Sequence, residues 1–275
     1  MEYYVPLQPP ILQKELLDSR YQYREYLPNK FLESYVACYW TVDYDSLEQN
    51  KLHRIIPDGC ADIIFDLRSS SIYKGAFVVG LMTEFETINL TQKYSFFGIR
   101  FYLDTVHHFL RHPVSDFIEN HVFLEDVWGR EAAFLTEEIT SANGISNMIE
   151  RVELKLMRFL QLSNLKSNYL LQMGLKYIYA NKGIISIRSL GEKLSYSERN
   201  IRRVFNKELG ISPKELSDII RFQNLLQELY NSNQYSFTNI VIKYGYFDQA
   251  HFINNFKRYY GMSPNQVFKK NRFSM

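Results

Sequence analysis

Residues 240–268 read IVIKYGYFDQAHFINNFKRYYGMSPNQVF, and this stretch decides the architecture of the C-terminal part. Phe252, Phe256 and Tyr260 recur at helical spacing behind Asp248, a residue type that caps helix starts. Gly245 makes a tight turn with Tyr246 and Phe247. Gly261 ends the helix where a left-handed residue is needed. Ser263 then caps a further helix, with Pro264 in its first turn and Gln266 completing a capping box. Ser236 opens the helix that precedes the turn and runs through Tyr244. The stretch reads as helix, tight turn, helix and a new helix start.

The same punctuation occurs 51 residues earlier, where Gly210-Ile211-Ser212-Pro213-Lys214-Glu215 matches Gly261-Met262-Ser263-Pro264-Asn265-Gln266. In this first unit Ser186 caps a helix through Leu194, Ser195-Tyr196 forms the turn, and Ser197 caps a helix through Leu209. Ile201, Phe205 and Leu209 make its inward stripe. Both units follow helix-turn-helix grammar. Between them, Pro213–Tyr230 reads as one amphipathic helix with Leu216, Ile219, Ile220, Leu226 and Leu229 apolar. At 1.5 Å per residue it is about 27 Å long. A strut of that size can hold two recognition helices near the roughly 34 Å that separate successive major grooves.

The outward faces carry the chemistry. The first unit presents Arg199, Arg202, Arg203 and Asn206, and the second presents Gln249, Ala250 and Asn254. Arg can take guanine through two hydrogen bonds, Asn and Gln can take adenine, and Ala can meet a thymine methyl. Ser186, Lys207, Lys214, Ser236, Lys257 and Arg258 are the candidates for phosphate contact, through side-chain charge or helix N-terminal amides. Charge supports this division. Residues 1–167 hold 16 Lys and Arg against 23 Asp and Glu, a balance of −7, whereas residues 168–275 hold 16 against 7, a balance of +9. The +2 of the whole 275-residue chain conceals an acidic part joined to a basic part that suits nucleic acid.

The acidic part reads differently. Strand-like runs occupy Tyr35–Asp43, Ala61–Leu67, Ala76–Gly80, Glu86–Thr91 and Tyr94–Tyr102. In ADIIFDL, residues 61–67, Ala61, Ile63, Phe65 and Leu67 share one face, and Asp62 and Asp66 are expected on a solvated one. A short helix is expected near Ile11–Ser19, and longer ones over Leu103–Arg111, Arg130–Ser141 and Ser146–Leu162. The last carries an apolar stripe that packs on its own domain or pairs with a second subunit. Polar Ser163–Asn168 marks a boundary between domains 1–165 and 168–275. Trp40, Phe65, Phe97 and Phe101 are the candidates to line a pocket for an apolar or aromatic effector, with core packing as the alternative.

Other chemistry finds little support. Two cysteines, Cys38 and Cys60, exclude a four-cysteine zinc site and a disulfide scaffold. His108 and His112 have a metal-compatible i, i+4 spacing beside His107, with His53 and His121 elsewhere, but surface or packing roles are favoured and no metal or cofactor is expected. Asp58, Asp62 and Asp66 form no catalytic constellation, and no Gly-rich phosphate loop or nucleophile elbow is present. The N-terminus has no secretory pattern and no apolar run reaches the ~20 residues of a membrane span. A cytoplasmic location, with no membrane partner, is the expectation.

Leu170–Lys270 resembles the tandem DNA-binding domain of AraC/XylS-type bacterial transcription regulators, most specifically over 240–268. The resemblance implies that the outward residues named above contact bases. Ser195 stands where the family usually has glycine, which costs on the order of 1 kcal/mol in a left-handed turn. Pro57-Asp58-Gly59, Ile63-Ile64-Phe65, Val79-Gly80 and Gly98-Ile99-Arg100-Phe101 resemble a sensor-like domain of some members, implying a small cupin-like antiparallel β-barrel plus helices. The expected fold is therefore α+β followed by an all-α tandem helix-turn-helix domain. The expected protein is not an enzyme. It is a sequence-specific regulator with duplex DNA, a small-molecule effector, RNA polymerase and a homodimer mate as candidate partners. The alternatives are an enzyme-like barrel on a DNA anchor, and a DNA-binding regulator whose N-terminal domain only dimerises.

Overall fold

Alternation at a period of two builds the first part of the chain, because successive side chains of a strand point to opposite faces. The computed structural model describes residues 4, 6–8, 20–45, 51–90, 93–118, 121–162, 168–231 and 236–268. It contains strands β1 (Tyr21–Tyr26), β2 (Val36–Tyr44), β3 (Lys51–Ile55), β4 (Cys60–Asp66), β5 (Ala76–Val79), β6 (Glu86–Leu90), β7 (Tyr94–Tyr102) and β8 (Val122–Phe123). Six form one antiparallel sheet in the order β1-β2-β7-β4-β5-β8, and β3 pairs with β6 in a separate ribbon. All five expected runs are strands. β1, β3 and the two-residue β8 are additions: YQYREY and KLHRI mix charge with apolar residues too evenly to stand out in sequence, and β8 is too short to. The short helix expected near Ile11–Ser19 lies outside the described residues.

Register sorts the side chains. Ala61, Ile63 and Phe65 of β4 pair with Phe101, Ile99 and Phe97 of β7, and this face packs into the main core. On the opposite face Cys38, Trp40, Val42 and Tyr44 pack with Ile64, Tyr94 and Phe96. Gly98 is required there, because the Trp40 indole occupies the space its Cβ would fill. The Tyr21 hydroxyl meets His53 Nδ1 at 2.8 Å, which brings the β3–β6 ribbon against this second face. Asp62 also lies on it. The expectation that Asp62 is solvated is therefore wrong: its side chain is only 18% exposed and sits against buried Arg100.

The helices are α1 (His107–Leu110), α2 (Leu124–Trp128), α3 (Arg130–Thr140), α4 (Ile145–Leu162), α5 (Tyr169–Ala180), α6 (Ile187–Leu194), α7 (Glu198–Leu209), α8 (Pro213–Asn231), α9 (Phe237–Lys243), α10 (Gln249–Tyr260) and α11 (Pro264–Phe268). The helix expected over Leu103–Arg111 shrinks to α1: residues 103–106 form turns after β7, and Arg111, left-handed with a φ of 59°, ends the helix. Val152, Leu156 and Phe159 of α4 pack on their own domain, with Phe159 edge-on to Trp128 at 4.8 Å.

The acidic and basic parts share one contiguous buried cluster. Three contacts fasten them. In α8, fully buried Gln223 accepts a hydrogen bond from Leu7 N at 2.8 Å and donates to Pro57 O at 2.8 Å and Leu7 O at 3.2 Å. At the end of α7, the Ser115 hydroxyl donates to Lys207 O at 2.8 Å, and Ile118 packs over Gly210. At the end of α10, Arg258 pairs with Glu84 at 3.3 Å, while Arg54 lies over the Phe85 and Tyr260 rings. The acidic part thus touches α7 and α10 at their C-terminal ends and α8 between the two units.

Candidate nucleic-acid interface

Each unit is assembled by its caps. Ser186 accepts from Ser189 N at 3.0 Å to start α6, and Ser197 accepts from Asn200 N at 3.3 Å to start α7. Asp248 accepts from His251 N at 2.7 Å to start α10. Ser236 occupies the N-cap of α9 without a side-chain cap bond, so its expected capping role is positional only. The turn residues Ser195 and Gly245 have φ of 57° and 64°, and Gly210 and Gly261 end α7 and α10 at 73° and 80°. Ser195 therefore adopts the left-handed turn despite its Cβ. Ser212 accepts from Glu215 N at 3.2 Å, but the Glu215 carboxylate turns to Arg258 at 3.0 Å. Gln266 instead accepts from Ser263 N at 2.8 Å.

These caps aim the faces as the spacing predicts. Ile201, Phe205 and Leu209 are buried, as are Phe252, Phe256 and Tyr260. Arg199, Arg202, Arg203 and Asn206 are exposed on α7, and Gln249, Ala250, Asn254 and Lys257 on α10. Arg202 pairs with Glu198 at 3.2 Å and Arg203 donates to Asn200 Oδ1 at 2.9 Å. Exposed contacts of this kind are worth about 0.3–0.5 kcal/mol, so both guanidiniums are easily redirected. Lys214 pairs with Asp218 at 2.7 Å, and Lys207 and Ser186 are exposed. Arg258 departs from a simple solvent-facing cation, held between Glu215 and Glu84. Sequence reading missed this because Glu84 is distant in the chain.

The β-domain holds a second concentration of chemistry. Arg100 Nε lies 3.0 Å from Asp58 Oδ2 and 3.3 Å from Asp62 Oδ1, and its Nη1 lies 3.7 Å from Glu25. Burial pushes the Asp62 carboxyl up to about 6; Arg100 opposes the rise and Asp58 adds to it. Burial also raises the Cys38 thiol to about 12 and the Cys60 thiol well above its usual value, which leaves both as protonated packing groups. The four aromatic pocket candidates are not brought together. Trp40 packs on the opposite face of the sheet, with Cys38, Val42 and the Tyr23 ring, whereas Phe65, Phe97 and Phe101 are fully buried in the main core. Strand alternation separates them. His112 sits 3.6 Å from Asp116, and among the described residues no three His, Cys, Asp or Glu side chains group for a metal.

His53 is pushed down to about 4, by burial first and Arg54 second. A histidine depressed in the fold contributes stability that is complete above its unfolded value near 6.5 and is lost as pH falls through about 4. His53→Gln is expected to recover on the order of 2 kcal/mol of that acid-side loss. Melting followed by circular dichroism between pH 7 and 4 checks this. His107, also pushed down to about 4 by burial with His108 adding, retains part of the slope.

Comparisons with known proteins fall on the same two parts. Residues 24–123 match a domain of unknown function, and residues 190–270 match a helix-turn-helix domain. An uncharacterized HTH-type transcriptional regulator of Haemophilus influenzae is 36% identical over 83 residues, which is 30% of this chain and 28% of that protein. The chain therefore matches under a third of that relative's length. The C-terminal domain of AraT, a response regulator from Geobacillus stearothermophilus, is 27% identical with a TM-score of 0.36, covering 41% of this chain and 92% of the other. ToxT from Vibrio cholerae O395 is 10% identical with a TM-score of 0.41, covering 94% of this chain and 100% of its own. No helix among the described residues is long and apolar enough to cross a membrane.

Proposed function

We propose that this chain, a transcription regulator with an AraC-type helix-turn-helix domain over residues 190–270, binds its operator by laying α7 and α10 in successive major grooves. The observation that carries the reading is the pair of exposed polar faces on two helices set in equivalent frames, joined by one helix of about 27 Å. Arg199, Arg202, Arg203 and Asn206 read bases from the first unit, and Gln249, Ala250 and Asn254 from the second. Ser186, Lys207, Lys214, Ser236, Lys257 and Arg258 serve the phosphates. For Arg258 this means exchanging Glu84 or Glu215 for DNA.

Residues 1–165 act as the regulatory domain and 168–275 as the DNA-binding domain. The contacts of Gln223, Ser115 and Glu84 support coupling between them. A small effector taken up between the two sheets, beside Trp40, is the route by which the β-domain changes operator affinity. The β-domain and α4 also offer the surface for a homodimer, and RNA polymerase is the further partner of an activator. Thermal-shift screening of the full chain tests the effector.

The DNA reading is tested by two variants. Arg202→Ala and Arg203→Ala are each expected to weaken binding to the selected operator by about 1–3 kcal/mol, with a much smaller loss on random duplex. Selection from random DNA, followed by titration of both duplexes, measures this. Equal losses on the two would make the arginines phosphate contacts and sink base reading by α7.

A further inference from the structure

Phe247 is 92% exposed immediately before the cap of α10. Comparing the two turns explains its position. In the first unit Ser195 is left-handed, Tyr196 N donates to Gly191 O at 3.1 Å, and the cap Ser197 follows at once. In the second, Gly245 is left-handed, Tyr246 N donates to Val241 O at 3.0 Å, and Phe247 intervenes before the cap Asp248. Phe247 is thus one extra residue in the second turn. It is not needed to pack that turn. Tyr246, 6% exposed, does so, with its ring 5.4 Å from that of Phe252. The extra residue carries a large apolar ring into solvent on the rim of the face that also presents Gln249 and Ala250.

We propose that Phe247 and Ala250 form an apolar pair that recognises thymine methyl groups in the groove receiving α10. The inference rests on the DNA-binding reading above and adds a specificity determinant to it. Residues at the N-terminal end of a recognition helix lie nearest the bases. Phe and Ala side chains meet the thymine C5-methyl in the major groove, the one apolar group displayed there. The second unit then selects its half-site through methyl contacts beside the amides of Gln249 and Asn254, whereas the first relies on guanidiniums. Continuity with the base-reading face is what commits the ring to DNA and not to a protein partner.

The test uses the full chain and a duplex selected from random DNA. Binding is compared on that duplex and on one in which deoxyuridine replaces thymidine in the half-site under α10, which removes methyl groups alone. The wild type is expected to weaken about fourfold for each contacted methyl lost. Phe247→Ser is expected to weaken severalfold on the thymine duplex and to lose most discrimination against uracil. Its salt slope should be unchanged, because no phosphate contact is removed, and Phe247→Leu should retain most of the discrimination. A selected half-site without thymine overturns the proposal, as does a wild type indifferent to uracil. Equal weakening of Phe247→Ser on both duplexes also overturns it. A wild type that selects no sequence at all is a different result: it removes the DNA-binding reading itself.

Discussion

Arg100→Met lowers the unfolding free energy by about 3–5 kcal/mol at neutral pH. Arg100 stands on β7 opposite Cys38 of β2 and Asp62 of β4, and is buried there. Three carboxylates converge on its guanidinium, from Asp58, Asp62 and Glu25. Methionine fills much of the volume but leaves those carboxylates facing one another with the cation gone. An uncompensated buried charge is the costly state, far more than the pair itself is worth. The sign of the pH dependence is the diagnostic. In the variant Asp62, already raised by burial, loses the opposing Arg100, so its protonated form fits the fold and the deficit shrinks as pH falls toward 5. Urea unfolding at pH 8 and pH 5 reads both. A deficit below 1 kcal/mol at pH 8, or one that grows toward pH 5, contradicts the assigned role.

The second large effect is expected at Gln223. Gln223→Leu keeps the volume and removes three hydrogen bonds, leaving the part-buried Leu7 N–H and C=O and the buried Pro57 C=O without that partner. A buried group left unsatisfied costs about 1–3 kcal/mol and a part-buried one less, so a total loss of about 3 kcal/mol is expected. Because the residue fastens α8 to the β-domain, the loss should concentrate on docking of the two parts. Thermal unfolding of the variant is expected to split into two transitions where the wild type has one. A melting temperature within a degree of wild type, with a single transition, rules out the fastening role.

The helix-turn-helix units were legible at the level of single side chains. Caps, left-handed turn residues and a 3.6-residue apolar period are local signals, and Ser197, Gly210 and Asp248 act where their types predict. The exposed faces of α7 and α10 follow from the same period. Legibility failed where partners come from distant strands. Asp62 alternates with apolar neighbours and so imitates a solvated residue. It is enclosed because Arg100, 38 residues on in the chain, is brought against it by the β4–β7 pairing, a long-range event that leaves no local trace. The same alternation that identified β4 and β7 placed Phe65, Phe97 and Phe101 on one face, but only the sheet order put Trp40 on the other.

By itself, then, the sequence determined the two helix-turn-helix units, the helix that joins them, and the division of charge between an acidic and a basic part. These depend on neighbours within a turn or two of chain. Only the tertiary structure decided that Arg258 is shared with Glu84, that Gln223 locks the strut to the residues around Pro57, and that Arg100 gathers three carboxylates. Those contacts join residues far apart in the chain, so they depend on which surfaces become dry when the layers meet. Desolvation gives charged and polar groups their partners, and no spacing in the chain encodes it.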